Sequence, residues 1–329
     1  MTMATYESAT RDKRRIDTGL LVQKYSTLVV LTLLFLGFAF GSDRFFTTTN
    51  LVNILQQISM LTIVAIGLTF AFAAKEMDLS VGYVVGLAGL LAPLLMAGGV
   101  SPVLAILASL FAGLIVGLVN SAIVVGVGVP SLIATLAAGS ILWGINFMIS
   151  GGRAIYSGIP AEYLAIGQGR IFGFLPVPAR IMIVVVITSW FVMERTTFGR
   201  YLYAVGGNAR AAELSGIKVR SYRVYGLALS AFFAAIAGII LSARLGSGQP
   251  NGGEAYLLDG LAAVFIGMTM LRPGTATVLG TFFGALLIGV MNNGLNLMGM
   301  DSYIQSIVKG IIIVIAVSIV SRTTKLKLL

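Results

Sequence analysis

The chain has 329 residues, of which 57% are hydrophobic and only 10% charged, with a mean hydropathy of +0.97. Ordinary soluble domains carry about 25% charged residues, so this much apolar surface cannot be hidden in a water-soluble core, and the sequence reads as an all-α polytopic membrane protein. It contains no cysteine, no histidine and no Gly-x-x-x-x-Gly-Lys-Ser/Thr run, which excludes disulfides, thiol nucleophiles, Ser–His hydrolysis and an ATP site of P-loop type.

A helix needs roughly 20 apolar residues to cross about 30 Å of hydrocarbon. Ten runs are candidates: 26–41, 51–74, 81–98, 102–122, 130–149, 178–193, 222–242, 259–271, 275–294 and 303–321. The first, sixth and eighth are short and suit tilted, broken or re-entrant segments. Residues 1–25 are polar and basic, and no small-residue cleavage site follows the first run, so that span reads as retained. The expected organisation is an N-terminal tail (1–25), one transmembrane domain (26–321) with a long polar loop at 194–223, and a C-terminal tail (322–329). Glycine is abundant, 40 residues in all. Gly82, Gly86 and Gly89, Gly113 and Gly117, and Gly280 and Gly284 have the spacing that lets helix backbones approach closely.

Basic residues set the orientation. With the N terminus inside, 16 of the 22 basic residues fall on the cytoplasmic side. They include Arg11, Lys13, Arg14 and Arg15, the 194–223 loop, Arg272, and Arg322, Lys325 and Lys327. Only 5 fall outside, at Arg44, Arg153, Arg170, Arg180 and Arg244. Both termini and the loop are therefore expected in the cytoplasm, and the net charge of +10 requires no nucleic acid.

Within the second span's exit and the polar loop lie the motifs. Asp78, Leu79, Ser80 and Gly82 follow the second span. In the loop, Thr197 to Val205 can form a short amphipathic helix that Gly206 and Gly207 stop. Asn208 is a good N-cap for a second helix over Ala209 to Ser215, which Gly216 ends. Ala211, Ala212 and Ser215 share a small, shallow face suited to close docking. A helix this short is marginal in water and needs something to rest on, either another protein or, as a plain connecting loop, its own membrane surface.

The run Gly199-Arg200, Tyr203-Ala204, Gly206-Gly207-Asn208, Ala211-Ala212, Ser215-Gly216-Ile217 resembles the cytoplasmic coupling loop of ABC importer permeases of the ribose/xylose/arabinose type. "FTTTNLVNILQQIS" (46–59), "MDLSVG" (77–82) and "NNGLNLMGMDSYIQSIVKG" (292–310) resemble other parts of that family, so the likeness covers nearly all of the chain after residue 45. Branched-chain amino acid permeases have a similar loop but typically lack the Gly-Gly-Asn. One stretch departs: "IGMTMLRPGTATVLG" (266–280) stands where much of the sugar family has Gly-Gly-Thr-Ser and a later Gly-Gly, which leaves the particular sugar open.

The resemblance implies the transmembrane subunit of a binding-protein-dependent importer for a monosaccharide or small polyol, working by alternating access in the bacterial inner membrane. It implies three partners: a second permease copy, identical or not; a cytoplasmic ATPase that holds the ATP and magnesium; and a periplasmic sugar-binding protein, for which the Gly-rich segment 242–260 is long enough to form a rest. Gly199, Arg200, Ala204, Gly206, Gly207, Asn208, Ala211, Ala212, Ser215 and Gly216 would form the coupling element. No catalytic residue, metal or cofactor is expected in this chain.

Asp78 and Asp259 open Gly-rich segments after the second and seventh spans, on opposite sides of the membrane. This either caps helix N-termini or reflects an inverted repeat of spans 2–5 and 7–10. Lys309 lies in an apolar run and either lines a pathway or snorkels to the outer surface. Gln249, Asn251, Glu254, Asn292, Asn293 and Asn296 either join Lys309 at a pathway or outer gate, contact a partner, or are solvated. The rival readings are an ion-coupled secondary carrier, against which the placement of Asp78 and Asp259 at span ends counts, and an ABC permease for an amino acid or nucleoside.

Overall fold

The computed structural model describes residues 18–171 and 173–324. The basic residues Arg11 to Arg15, Lys325 and Lys327 lie outside them. Each of the ten apolar runs lies on a helix: α1 (Thr18–Gly41), α2 (Thr48–Ala73), α3 (Val81–Ala97), α4 (Pro102–Ser121), α5 (Ser131–Ser150), α7 (Val177–Arg195), α10 (Val219–Leu245), α11 (Glu254–Gly267), α12 (Val278–Leu297) and α13 (Ser302–Thr324). Among the described residues, six of these are long and apolar enough to cross a membrane: α2, α4 with the π turn that extends it to Val127, α5, α7, α10 and α12. α3 and the apolar parts of α1 and α13 are shorter. The sixth run, short in sequence, becomes a 19-residue helix, while α11 stays at 14.

α2 and α10 pack along each other at the centre. Small residues make this possible: a Cβ on Gly67 would lie 2.9 Å from the Ser230 carbonyl oxygen, and one on Gly226 would lie 3.0 Å from that of Phe70. α3 and α4 pack on α10, and α11 and α12 pack on α2. The seven glycines singled out by spacing all sit at such contacts. Gly82 faces Gly253, Gly86 faces Pro250, Gly89 faces Gly238, Gly113 faces Ala235, Gly117 faces Ala228, Gly280 faces Gly267 and Gly284 faces Ala263.

The most apolar windows of α2, α10 and α12 are 72%, 67% and 72% buried, against 22%, 28% and 33% for α4, α5 and α7. The outer helices therefore turn apolar faces outward, with Leu107, Phe111, Leu136, Ile141, Ile187 and Phe191 exposed. So large an apolar surface is the mark of lipid contact.

Between α5 and α7 the chain makes structure that its composition did not announce. A short helix α6 (Ala161–Gln168) is followed by a two-stranded ribbon, β1 (Arg170–Ile171) antiparallel to β2 (Leu175–Pro176). α6 is fixed to α10 by the buried Tyr163, whose hydroxyl lies 2.5 Å from Ser242 Oγ and 3.1 Å from the Ile239 carbonyl oxygen. Paired backbone bonds between Ile155 and Gly248, 2.8 and 2.9 Å, tie this segment to the one before α11.

Candidate functional site

Two regions carry the polar residues: the 194–223 loop at one end of α2, and a cavity among α2, α11, α12 and α13 at the other end of α12.

The loop folds as α8 (Thr197–Gly207) and α9 (Ala209–Leu214). α8 buries Gly199, Leu202 and Val205, a spacing of three that marks one helical face. It runs through Gly206 and Gly207 rather than ending before them, a correction to the sequence expectation. The reason at Gly206 is packing: a Cβ there would sit 2.0 Å from the Ala73 carbonyl oxygen at the end of α2. Gly199 lies as close to the Met193 carbonyl. Gly207, by contrast, has nothing within 4 Å of a Cβ position and is exposed.

Asn208 caps α9, its Oδ1 accepting from the Ala211 amide at 3.0 Å. Gly216 follows with φ +81°, a left-handed conformation that favours glycine. The expected shared face divides. Ala212 is buried against the body, whereas Ala211 and Ser215 point outward and are joined by a 2.9 Å bond from Ser215 Oγ to the Ala211 carbonyl. Arg200 is exposed and Ala204 half-buried.

Behind α8 the loop is pinned by charges and a phenol. Glu76 pairs with Arg223. Arg272 pairs with Glu194 at 2.7 Å and lies over the Tyr203 ring. Tyr203 donates to the Ala276 carbonyl at 3.2 Å, and its burial pushes the phenol up from the usual range, so it stays a neutral donor. A cavity of about 830 Å³ opens here, lined by Glu76, Met77, Arg200, Tyr203, Gly207 and Arg272 among others.

The Asp78 segment is built into the protein rather than exposed at a span end. Asp78 is fully buried. Its Oδ1 accepts from the Ser80 amide at 3.0 Å and the Ser80 hydroxyl at 2.6 Å. Asn120 Nδ2 donates to Ser80 Oγ at 3.0 Å, and Thr135 Oγ1 accepts from the Leu79 amide at 3.0 Å. The carboxylate thus stands at the start of α3, where a negative charge suits the helix N-terminus.

Asp259 does not cap a helix. It lies inside α11, buried, and forms an ion pair with Lys309 of α13, Nζ to Oδ1 2.9 Å. Asn292 of α12 donates to Asp259 Oδ2 at 3.0 Å. Asp78 stands between α2 and α3, at a span end as expected, while Asp259 lies within α11; both are buried, so their position is no argument against an ion-coupled carrier.

A cavity of about 290 Å³ surrounds the pair, lined by Gln57, Leu61, Ala255, Tyr256, Asp259, Gly289, Asn292, Asn296, Gln305 and Lys309. Lys309 thus turns inward, with its side chain 16% exposed. Of the residues grouped by sequence, Asn292, Asn296 and Lys309 meet here. Asn293 instead pairs with Asn50 across α2 and α12, with reciprocal amide bonds of 3.0 and 2.9 Å. Gln249 lies apart, near Ser247, Gly86 and Gly89. Asn251 and Glu254 shape the turn before α11, the Glu254 amide donating to the Asn251 carbonyl. Gln57, Tyr256 and Gln305 were missed because they stand on three different helices, α2, α11 and α13, and nothing local in the sequence brings them together. The only cue was three polar residues, Asn53, Gln56 and Gln57, in an otherwise apolar run.

A family model described as "Branched-chain amino acid transport system / permease component" matches residues 50–317. The chain belongs to this family. It is therefore an integral membrane transport subunit, a permease. The permease is 39% identical over 300 residues to the ribose import permease protein of Haemophilus influenzae, covering 90% of this chain and 92% of that one. It is 38% identical over 307 residues to the ribose import permease protein of Escherichia coli, covering 92% and 95%. It is 31% identical over 315 residues to the D-allose transport system permease protein of Escherichia coli, covering 95% and 96%.

Proposed function

We propose that this permease is the membrane-spanning subunit of an importer for a monosaccharide or related small polyol, driven by a separate ATPase through alternating access. The observation that carries the reading is the nearly end-to-end likeness to permeases named for ribose and D-allose. On this reading the chain lies in the bacterial inner membrane, all ten apolar helices cross or enter the bilayer, and both termini are cytoplasmic. ATP and magnesium belong to the ATPase, and this chain performs no covalent chemistry.

The α8–α9 element is the handle. Its inner face is committed to α2 through Gly206, and its outer face offers Gly207, Asn208, Ala211 and Ser215. The partners are that ATPase, a second permease copy and a periplasmic binding protein. The packing supports an inverted repeat of α2–α5 and α10–α13: α3 and α4 lie on α10 as α11 and α12 lie on α2.

The test is uptake. The chain is reconstituted in vesicles with its candidate ATPase and binding protein and given labelled sugars. Import that needs ATP and the binding protein, and survives collapse of ion gradients, is expected. Gradient-driven uptake by this chain alone would make it a secondary carrier. ATP-driven uptake of leucine and of no sugar would assign the solute suggested by the family's description instead.

A further inference from the structure

We infer that the cavity around the Asp259–Lys309 pair is a contact site within the permease for one neutral, polyhydroxylated solute molecule. This rests on the importer reading and adds to it the place and chemistry of recognition.

Three features define the site. The first is size. At about 290 Å³ it stands at the small end of ligand pockets, which run from about 300 to 1,000 Å³, and suits a single small solute rather than an oligomer. The second is charge. The cation and anion in its wall, Lys309 and Asp259, are spent on each other at 2.9 Å, so the cavity offers strong donors and acceptors with no net charge. A charged solute would find no counter-ion to spare.

The third is the mix of groups. Gln57 and Asn296 bring amides that both donate and accept. Asn292 Oδ1 is buried without a partner, an acceptor awaiting a donor. A sugar hydroxyl, donor and acceptor at once, matches this set. Tyr256 adds an apolar ring to the wall, its hydroxyl meeting only the Met60 sulfur at 3.8 Å, and such a ring can cover the C–H face of a sugar.

A zwitterionic amino acid would have to part the Asp259–Lys309 pair, which Asn292 also holds. The lining is also short of apolar side chains to receive a branched aliphatic group: Leu61 is the largest of them apart from Tyr256. The neutral polyol is therefore favoured.

The chain has no cysteine, so Ala255→Cys, in the cavity wall but not among its polar groups, creates a unique thiol there. In vesicles with the ATPase and binding protein, its reaction with a small water-soluble thiol reagent is timed with D-ribose, D-allose or L-leucine, and sugar uptake is read in the same vesicles. Asp43→Cys, exposed in the turn between α1 and α2, is the control. A sugar that is imported is expected to slow labelling at 255 by about tenfold at ten times its half-protecting concentration. L-leucine should not slow it, and the control should be unaffected.

Uptake with unaltered labelling overturns the site while leaving the importer reading intact. No uptake by the cysteine-free chain overturns both. Protection by L-leucine alone assigns the cavity to zwitterions and overturns the polyol. If Ala255→Cys itself fails to import, Leu61→Cys, from the α2 wall, takes its place under the same outcomes.

Discussion

Gly206 of α8 lies directly against the carbonyl oxygen of Ala73, the last residue of α2, so close that a Cβ would sit 2.0 Å from it. The next residue, Gly207, has open space where a side chain would go. The two glycines should therefore respond differently. Gly206→Val is expected to push α8 off α2 and lower the thermal midpoint of the purified chain, with uptake lost. Gly207→Trp is expected to leave the midpoint unchanged and still abolish ATP-dependent uptake, because only a partner would meet the new ring. Normal uptake by Gly207→Trp would show that α8–α9 is not the handle.

Lys309→Met should be strongly destabilising. It leaves the Asp259 carboxylate in the interior with Asn292 as its remaining partner, and removing one member of a buried pair costs roughly 3–5 kcal/mol. The double variant Asp259→Asn with Lys309→Met should recover most of that loss. Denaturation in detergent measures both. A double variant as unstable as the single would show that the packing of the lysine stem, rather than its charge, holds α13 to α11.

The contrast between these two sites shows what sequence can carry. Helices were legible because the apolar runs are continuous, even the three short ones, and the Asn208 cap was legible because N-capping is local. The Asp259–Lys309 contact was not, since 50 residues separate the partners and nothing local links them. Asp259 offered a cap reading because it opens the eighth apolar run, 259–271, yet the helix begins at Glu254, ahead of it. Gly206 read as a helix stop because glycine disfavours helix interiors. Its reason for being there is a carbonyl more than 130 residues away in the chain, which no local rule contains. The division of Ala211 from Ala212 likewise depends on where the body lies, not on helical spacing.

Asn293→Leu is expected to cost about 1–3 kcal/mol, the usual penalty for leaving a buried polar group unpaired. Its victim is Asn50, whose side chain would keep only the Phe45 carbonyl as acceptor for its Nδ2. Replacing both asparagines by leucine should cost less than the sum of the singles. A double-mutant cycle on thermal unfolding reads the coupling, and additive losses would show that the amide pair is not a unit.

Arg272→Ala should matter little to stability. Its guanidinium is 54% exposed where it meets Glu194, and exposed pairs contribute about 0–1 kcal/mol. The thermal midpoint should change slightly and be insensitive to added salt. A large drop would mean that contact with the Tyr203 ring, not the ion pair, fixes the turn before α12.

The seat of α8 on the end of α2 also has a mechanical meaning. α2 lies along α10, α11 and α12, so it works as an axle on which much of the bundle is mounted. On the reading of α8–α9 as the handle, a push on α8 would enter at the tip of that axle, through Gly206 and Ala73. α13 lies at the rim, held chiefly by α11. On that reading, the surface that takes the thrust and the rim helix α13 lie on either side of the most buried part of the bundle.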